Sequence, residues 1–237
     1  IVCSDPYRNF VANGLAVHNS GKTFSAMLFA EGLARHTGKR IAFVDTERGT
    51  DFYAMRVPER DPHPEAFDFD AIYTRSLTEV LSECRGLDMK THGIIVIDSI
   101  SHLWDAAMAA YTGPKTPAGT IPMWAWGTIK KPYKDLMRFL IDSPYHVFIL
   151  GRQSNVFEED ATTGETKAAG VKMRAEGETA YEPHICLRMM PQRTEQKGRK
   201  TVALREQTIC AFAEKDRTGI LSGKMIQWPD YNNCIAP

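Results

Sequence analysis

No stretch of the chain approaches the roughly 20 consecutive apolar residues that a membrane helix needs, and no charged-then-apolar leader opens it. A cytoplasmic location is the expectation. Net charge is absent as well: 29 basic residues balance 29 acidic ones, so no global field draws a polyanion and any nucleic-acid surface must be a local patch. Cysteine is sparse. Cys3, Cys84, Cys186, Cys210 and Cys234 are odd in number and widely spread, which argues against a zinc site and for reduced thiols. There is no internal repeat and no low-complexity tract. What remains is a globular composition, 43% hydrophobic and 24% charged over 237 residues, enough for one main domain with a substantial core. Ile1 in place of Met reads as the start of a fragment.

One further absence is local. Gly21-Lys22-Thr23, followed by the helical pattern Phe24, Met27, Leu28, is the second half of a phosphate-binding loop, G-x-x-x-x-G-K-[ST]. In such a loop, amides at a helix N-terminus cradle phosphates, the lysine neutralises the terminal ones, and the threonine hydroxyl ligates Mg²⁺. Ser20, Gly21, Lys22 and Thr23 are therefore candidate nucleotide-binding residues. The first glycine of the motif should be residue 16, which is Ala16.

Residues 9 to 20, Asn9-Phe10-Val11-Ala12-Asn13-Gly14-Leu15-Ala16-Val17-His18-Asn19-Ser20, closely resemble the C-terminal end of an intein and the first host residue after it. The resemblance implies that Asn19 cyclises and breaks the chain, that His18 assists, and that Ser20 is the nucleophile receiving the upstream segment, ordinary roles for an imidazole and a hydroxyl. Arg8 departs from the His common in that family. The other reading is an odd strand feeding a degenerate loop, but Asn13-Gly14 is a turn signal in the middle of that strand. The expected organisation is an intein remnant over 1–19 and an ATPase domain over 20–237, with the host's first strand and the start of its phosphate loop missing.

Further along, residues 22–36 read as a helix stopped by Gly38. Ile41-Ala42-Phe43-Val44 is a short strand ending in Asp45-Thr46-Glu47, at the carboxyl end where α/β proteins carry functional groups. Residues 56–70, rich in Pro and Asp, read as a surface loop. Ser76-Leu77-Thr78-Glu79 is a capping-box pattern before a helix. Gly93 to Ile97 is a continuous apolar run ending in Asp98, as a buried parallel strand would. Helices are expected at about 101–110 and 133–142, separated by a loop over 112–123, with another buried strand at His146 to Leu150 before Gly151-Arg152-Gln153. Residues 154–180 form a long polar segment with no regular period. Strands follow at 184–190, about 200–204, and 208–214, the last ending in Lys215-Asp216-Arg217-Thr218-Gly219. This is an α/β pattern, a mostly parallel sheet flanked by helices with an antiparallel C-terminal part.

In this order, the strand ends of residues 20 to about 228 resemble the RecA-like P-loop NTPases, and in particular the phage recombination ATPases related to RecA and RadA. The resemblance implies that Glu47 polarises the attacking water and that Asp98 is the Walker B carboxylate, reaching Mg²⁺ through water beside Thr23. By the same likeness Gln153 senses the γ-phosphate. Lys215 and Arg217 match an element that reaches a neighbouring subunit's nucleotide, so a homo-oligomer, ring or filament, is implied, with ATP and Mg²⁺ as substrate and cofactor. Each residue has a plainer reading: Asp98 as a helix cap, Glu47 as a solvated turn residue, Gln153 as an ordinary strand end, Lys215 and Arg217 as a charged turn. The irregular segments 112–123 and 154–180 fall where RecA relatives hold single-stranded DNA. Trp124, Trp126, Lys130 and Lys131 either stack bases and hold phosphates or, for the tryptophans, belong to the core. The expected function is DNA recombination or single-strand annealing after splicing. The alternatives are a helicase or packaging motor, and an inactive precursor whose chemistry is confined to Asn19, awaiting the other half of the intein.

Overall fold

Alternating short apolar runs and amphipathic segments fold here into the expected α/β architecture, seen in a computed structural model. It describes all residues except 1, 4–8, 13–14, 19–20, 59, 61–62, 113–120, 160–165, 198–199 and 236–237, and only the backbone of 2–3, 9–12, 15–18, 157–159, 167–169, 193–197 and 200–207. In chain order the elements are β1 (Val2–Cys3), β2 (Asn9–Ala12), β3 (Leu15–His18), α1 (Lys22–Thr37), β4 (Arg40–Asp45), β5 (Asp70–Tyr73), α2 (Leu77–Gly86), β6 (His92–Asp98), α3 (Ile100–Thr112), α4 (Trp126–Asp142), β7 (His146–Leu150), β8 (Gln153–Glu159), β9 (Thr166–Met173), β10 (Ile185–Lys197), β11 (Lys200–Asp216), β12 (Met225–Gln227) and α5 (Tyr231–Cys234). Two compact units result. One comprises 39–49 and 69–183, the other 1–38, 50–68 and 184–237.

The first unit is built on a parallel sheet of order β5-β4-β6-β7. Its central strands read as unbroken apolar runs because both faces are covered: Ile41, Phe43, Val44, Ile94, Ile95, Val96 and Ile97 are each at most 1% exposed, and each such side chain contributes about 1.5–3 kcal/mol by leaving water. On one face Val44, Ile95 and Ile97 pack with Leu77, Val80 and Cys84 of α2, Ile100 and Leu103 of α3, and Tyr133, Leu136 and Leu140 of α4. Burial pushes the Cys84 thiol up to about 12, as befits a core residue that does no chemistry.

Three local expectations are corrected. Helix α4 begins at Trp126, seven residues before the expected start, and carries Pro132 inside it. The ring removes one backbone donor, yet Ile129, Tyr133, Leu136, Met137 and Leu140 bury one stripe across it, which outweighs that loss. The polar segment after residue 153 is an antiparallel hairpin, β8 with β9, carrying a register shift between Val156 and Phe157 that disguises its alternation. Only half the capping box forms: the Ser76 hydroxyl accepts the Glu79 amide at 3.3 Å, while the Glu79 carboxylate takes the Thr74 hydroxyl.

The second unit holds α1, α5, a long β10–β11 hairpin with β12 on its flank, and the loop 50–68. That loop is ordered by Arg60, whose guanidinium donates to the carbonyls of His63, Phe52 and Met55 at 2.7, 2.9 and 3.2 Å, and by Phe67, 4% exposed, packed edge-on against Phe24. At Gly32 a Cβ would lie 2.2 Å from the Tyr231 Cβ, so α5 sits against α1 only because that position has no side chain. Among the described residues, the strands before α1 pair only with one another. β3 pairs antiparallel with β2, from Asn9↔His18 to Ala12↔Leu15, and β2 with β1. Among the described residues, they form a sheet of their own, of order β1-β2-β3.

Candidate functional site

The carboxyl ends of β4 and β6 lie in register, Asp45 opposite Asp98, and a hydrogen-bond network locks them together. Asp45 is buried, 3% exposed, and one of its oxygens accepts the amides of Glu47 at 2.8 Å and Arg48 at 2.7 Å. The chain thus turns sharply after the strand, with Arg48 at φ 57°, and Glu47 is set at the strand's end. The Thr46 amide donates to the Asp98 carbonyl at 2.8 Å, and Arg75 Nε holds the Thr46 carbonyl at 2.7 Å.

The Glu47 carboxylate is exposed, yet it is held by side chains from elsewhere in the chain. Its Oε1 lies 3.1 Å from Arg152 Nη2 and 3.3 Å from His102 Nδ1, bringing together the end of β4, α3 and the link between β7 and β8. Ser101, fully buried in the first turn of α3, accepts the Arg152 amide at 2.8 Å. Burial holds the His102 imidazole below its ordinary pKa; the Glu47 charge opposes this, and Arg152 and Arg75 reinforce it. His102, Arg152, Thr46 and Arg75 were not singled out from sequence. His102 lies in the first turn of a helix and Arg152 in the two-residue link between β7 and β8, and no local pattern marks a contact that spans 105 residues.

Gln153, the expected sensor, is the first residue of β8, paired with Met173 and exposed; it is the neighbouring Arg152 whose side chain reaches Glu47. Asp98 ends β6 half-buried, followed by Ser99, whose buried hydroxyl has no hydrogen-bond partner among the described residues.

At the other candidate centre, Gly21 caps α1 with φ 76°, in the left-handed region, and Lys22 and Thr23 open the helix. A Cβ on Gly21 would lie 2.8 Å from Ile209 Cγ2, so the backbone makes an approach there that only glycine permits. No acidic residue occupies the first turn of this 16-residue helix, so the helix's own residues leave its positive end unneutralised. This start fits an anion such as a nucleotide phosphate. Asn19 and Ser20 lie outside the described residues, and of His18 only the backbone is described.

Lys215 and Arg217 flank a turn held by Asp216. Its Oδ1 accepts the Thr218 hydroxyl at 2.6 Å and amide at 2.7 Å, and its Oδ2 accepts the Leu221 amide at 2.6 Å. The Thr218 hydroxyl first, then these amides, hold the Asp216 carboxyl down to about 2. Gly219 completes the turn at φ 75°, and the Arg217 amide donates to the His184 carbonyl at 2.9 Å.

The candidate DNA-facing residues divide. Trp124 is 77% exposed, whereas Trp126 packs beside Ile121, Ala125 and Ile129. Lys130 lies over the Trp126 ring and is paired with buried Glu176 at 2.7 Å; Lys131 pairs with Asp135 at 2.9 Å. Residues 113–120 and 160–165 of the two expected DNA loops lie outside the described residues. Among the described residues no helix is long and apolar enough to cross a membrane, and no cluster of His, Cys, Asp and Glu is arranged to hold a metal by itself.

A family model described as an AAA domain matches residues 15–218, most of the chain. No curated protein matches it.

Proposed function

The chain belongs to the AAA domain family of P-loop ATPases, and from that premise we propose that it is the ATPase segment of a RecA-like, phage-borne recombination or annealing protein. It becomes competent once splicing at Asn19-Ser20 joins it to an upstream segment. The observation that carries the reading is the pair of in-register strand ends, Asp45-Thr46-Glu47 beside Asp98, with Glu47 held by side chains from two other elements. A carboxylate fixed at a parallel strand's end is suited to take a proton from water.

In this reading the α1 amides and Lys22 hold the ATP phosphates, and Thr23 and Asp98, the latter through water, would hold Mg²⁺. The ion supplies charge neutralisation at the transferring phosphate. Glu47 orients water and accepts its proton, Gln153 responds to the γ-phosphate, and Lys215 and Arg217 act on a neighbouring subunit's nucleotide, which makes a homo-oligomer the working form. Holding the latter two on either side of a turn ordered by Asp216 suits cations that must reach outward. The exposed Trp124 suits a base-stacking contact with single-stranded DNA.

The chain as it stands is then a precursor. The antiparallel pairing of Leu15–His18 with Asn9–Ala12, in a sheet of order β1-β2-β3, supports treating residues 1–19 as a processing element rather than as part of the nucleotide cradle. The test is the ATPase rate of the spliced protein. Stimulation by single-stranded DNA is expected; stimulation only by duplex DNA, or by a capsid portal, would replace the recombination reading with a helicase or packaging motor.

A further inference from the structure

The Thr46 hydroxyl makes three contacts: the Asp98 carbonyl at 3.1 Å, the Ser99 amide at 2.9 Å and His102 Nδ1 at 2.9 Å. A hydroxyl has one proton to give and two lone pairs to receive. A carbonyl cannot donate, so the proton goes to Asp98; the Ser99 N–H occupies one lone pair. His102 meets the other, and its Nδ1 must therefore carry hydrogen. Glu47 imposes the same choice independently. Its Oε1 lies 3.3 Å from that same nitrogen, and an ionised carboxylate accepts only, so a bare Nδ1 there would set two lone pairs against each other.

We propose that His102 is a positioning residue for Glu47, donating one Nδ1–H that is shared between the Thr46 hydroxyl and the Glu47 carboxylate. This rests on the reading of Glu47 as the base for water. The tautomer matters because Thr46 is itself fixed by the end of β6, through the Asp98 carbonyl and the Ser99 amide. The imidazole thus transmits the position of the Walker B strand end to the carboxylate two residues beyond β4. Both side-chain contacts of Glu47 among the described residues fall on Oε1, which leaves Oε2 to receive a proton from water. The charged groups around the ring are Glu47, Arg152, Arg75 and Asp105.

The 237-residue chain, labelled with ¹⁵N at histidine, gives the direct test, with the His102 signals identified by their loss in His102→Asn. A long-range proton–nitrogen spectrum at neutral pH is expected to show His102 neutral with hydrogen on Nδ1. In Glu47→Gln its midpoint is expected to move lower, since the neighbouring carboxylate is what favours the imidazolium. An Nε2–H tautomer, or a midpoint indifferent to Glu47→Gln, would overturn the proposal. In the spliced protein, His102→Leu is expected to lower kcat on the order of 10- to 100-fold with KM for ATP little changed, because only the placement of the base is lost. His102→Asn, whose amide can donate from nearly the same place, is expected to recover most of that loss. Two equally impaired variants, or two unimpaired ones, would contradict the donor role. Wild-type hydrolysis by Glu47→Gln would instead remove the base itself, and the positioning role with it, whatever tautomer the spectrum shows.

Discussion

The strand-end cluster and the start of α1 carry equally short motifs, Asp45-Thr46-Glu47 and Gly21-Lys22-Thr23, but they are held in opposite ways. Glu47 is fixed by side chains that arrive from far along the chain, His102 and Arg152, and its setting is complete within one compact unit. Gly21 is fixed by its own left-handed backbone and by what a side chain would strike. The residues that should form the rest of its cradle pair instead in an antiparallel hairpin, or lie outside the described residues. A carboxylate can thus be set in place by tertiary contacts alone. A phosphate cradle depends on consecutive backbone, so the foreign segment proposed to interrupt it would disable it.

The largest expected effect breaks the first half of that comparison. In the spliced protein Glu47→Gln should leave ATP binding nearly intact while lowering hydrolysis by about 10²- to 10⁴-fold, measured as steady-state turnover beside calorimetric affinity. Equal loss of binding would show that Glu47 holds nucleotide rather than water. Next in size is the contribution between subunits. Neither Arg217→Ala nor Lys22→Ala alone should turn over, but mixing them should recover part of the activity, since some interfaces then pair an intact loop with an intact Arg217. Mixed assemblies, verified as such, that stay inactive would place Arg217 outside the neighbouring site.

Smaller effects probe how each region is held. Gly21→Ala should cost about 1–2 kcal/mol in denaturant titration, the penalty of a left-handed backbone for a residue with a Cβ, before any strain from Ile209 is counted. Asp216→Asn should cost stability at neutral pH and progressively less along the acid limb. The folded carboxyl sits at about 2 against an ordinary 3.8. Its stabilisation is therefore present above the ordinary value and lost as pH falls through about 2. The variant's melting temperature should fall less steeply than that of the wild type across this window; parallel curves would show that the Asp216 hydrogen bonds do not order the turn.

The strand ends were legible because buried parallel strands are continuous apolar runs, and Asp45, Asp98 and Gly151 stop them abruptly. The start of α4 was not, since Gly127 and Pro132 advertise a break that the buried stripe from Ile129 to Leu140 overrides. Nor was the β8–β9 hairpin, whose polar alternation shifts phase between Val156 and Phe157. Glu47 could be named from its motif, but the ring and guanidinium that hold it could not. Their roles exist only once α3 and the end of β7 lie beside β4.

Mg-ATP affinity, measured by calorimetry on residues 1–237 and on the spliced protein, tests most directly whether the nucleotide site is complete only after residues 1–19 are gone. The spliced protein is expected to bind in the low-micromolar range, about −8 kcal/mol at 1 μM, and the 237-residue chain to bind poorly. Low-micromolar binding by residues 1–237 alone would contradict the splicing reading and make Ala16 to Ser20 a working, if degenerate, phosphate loop.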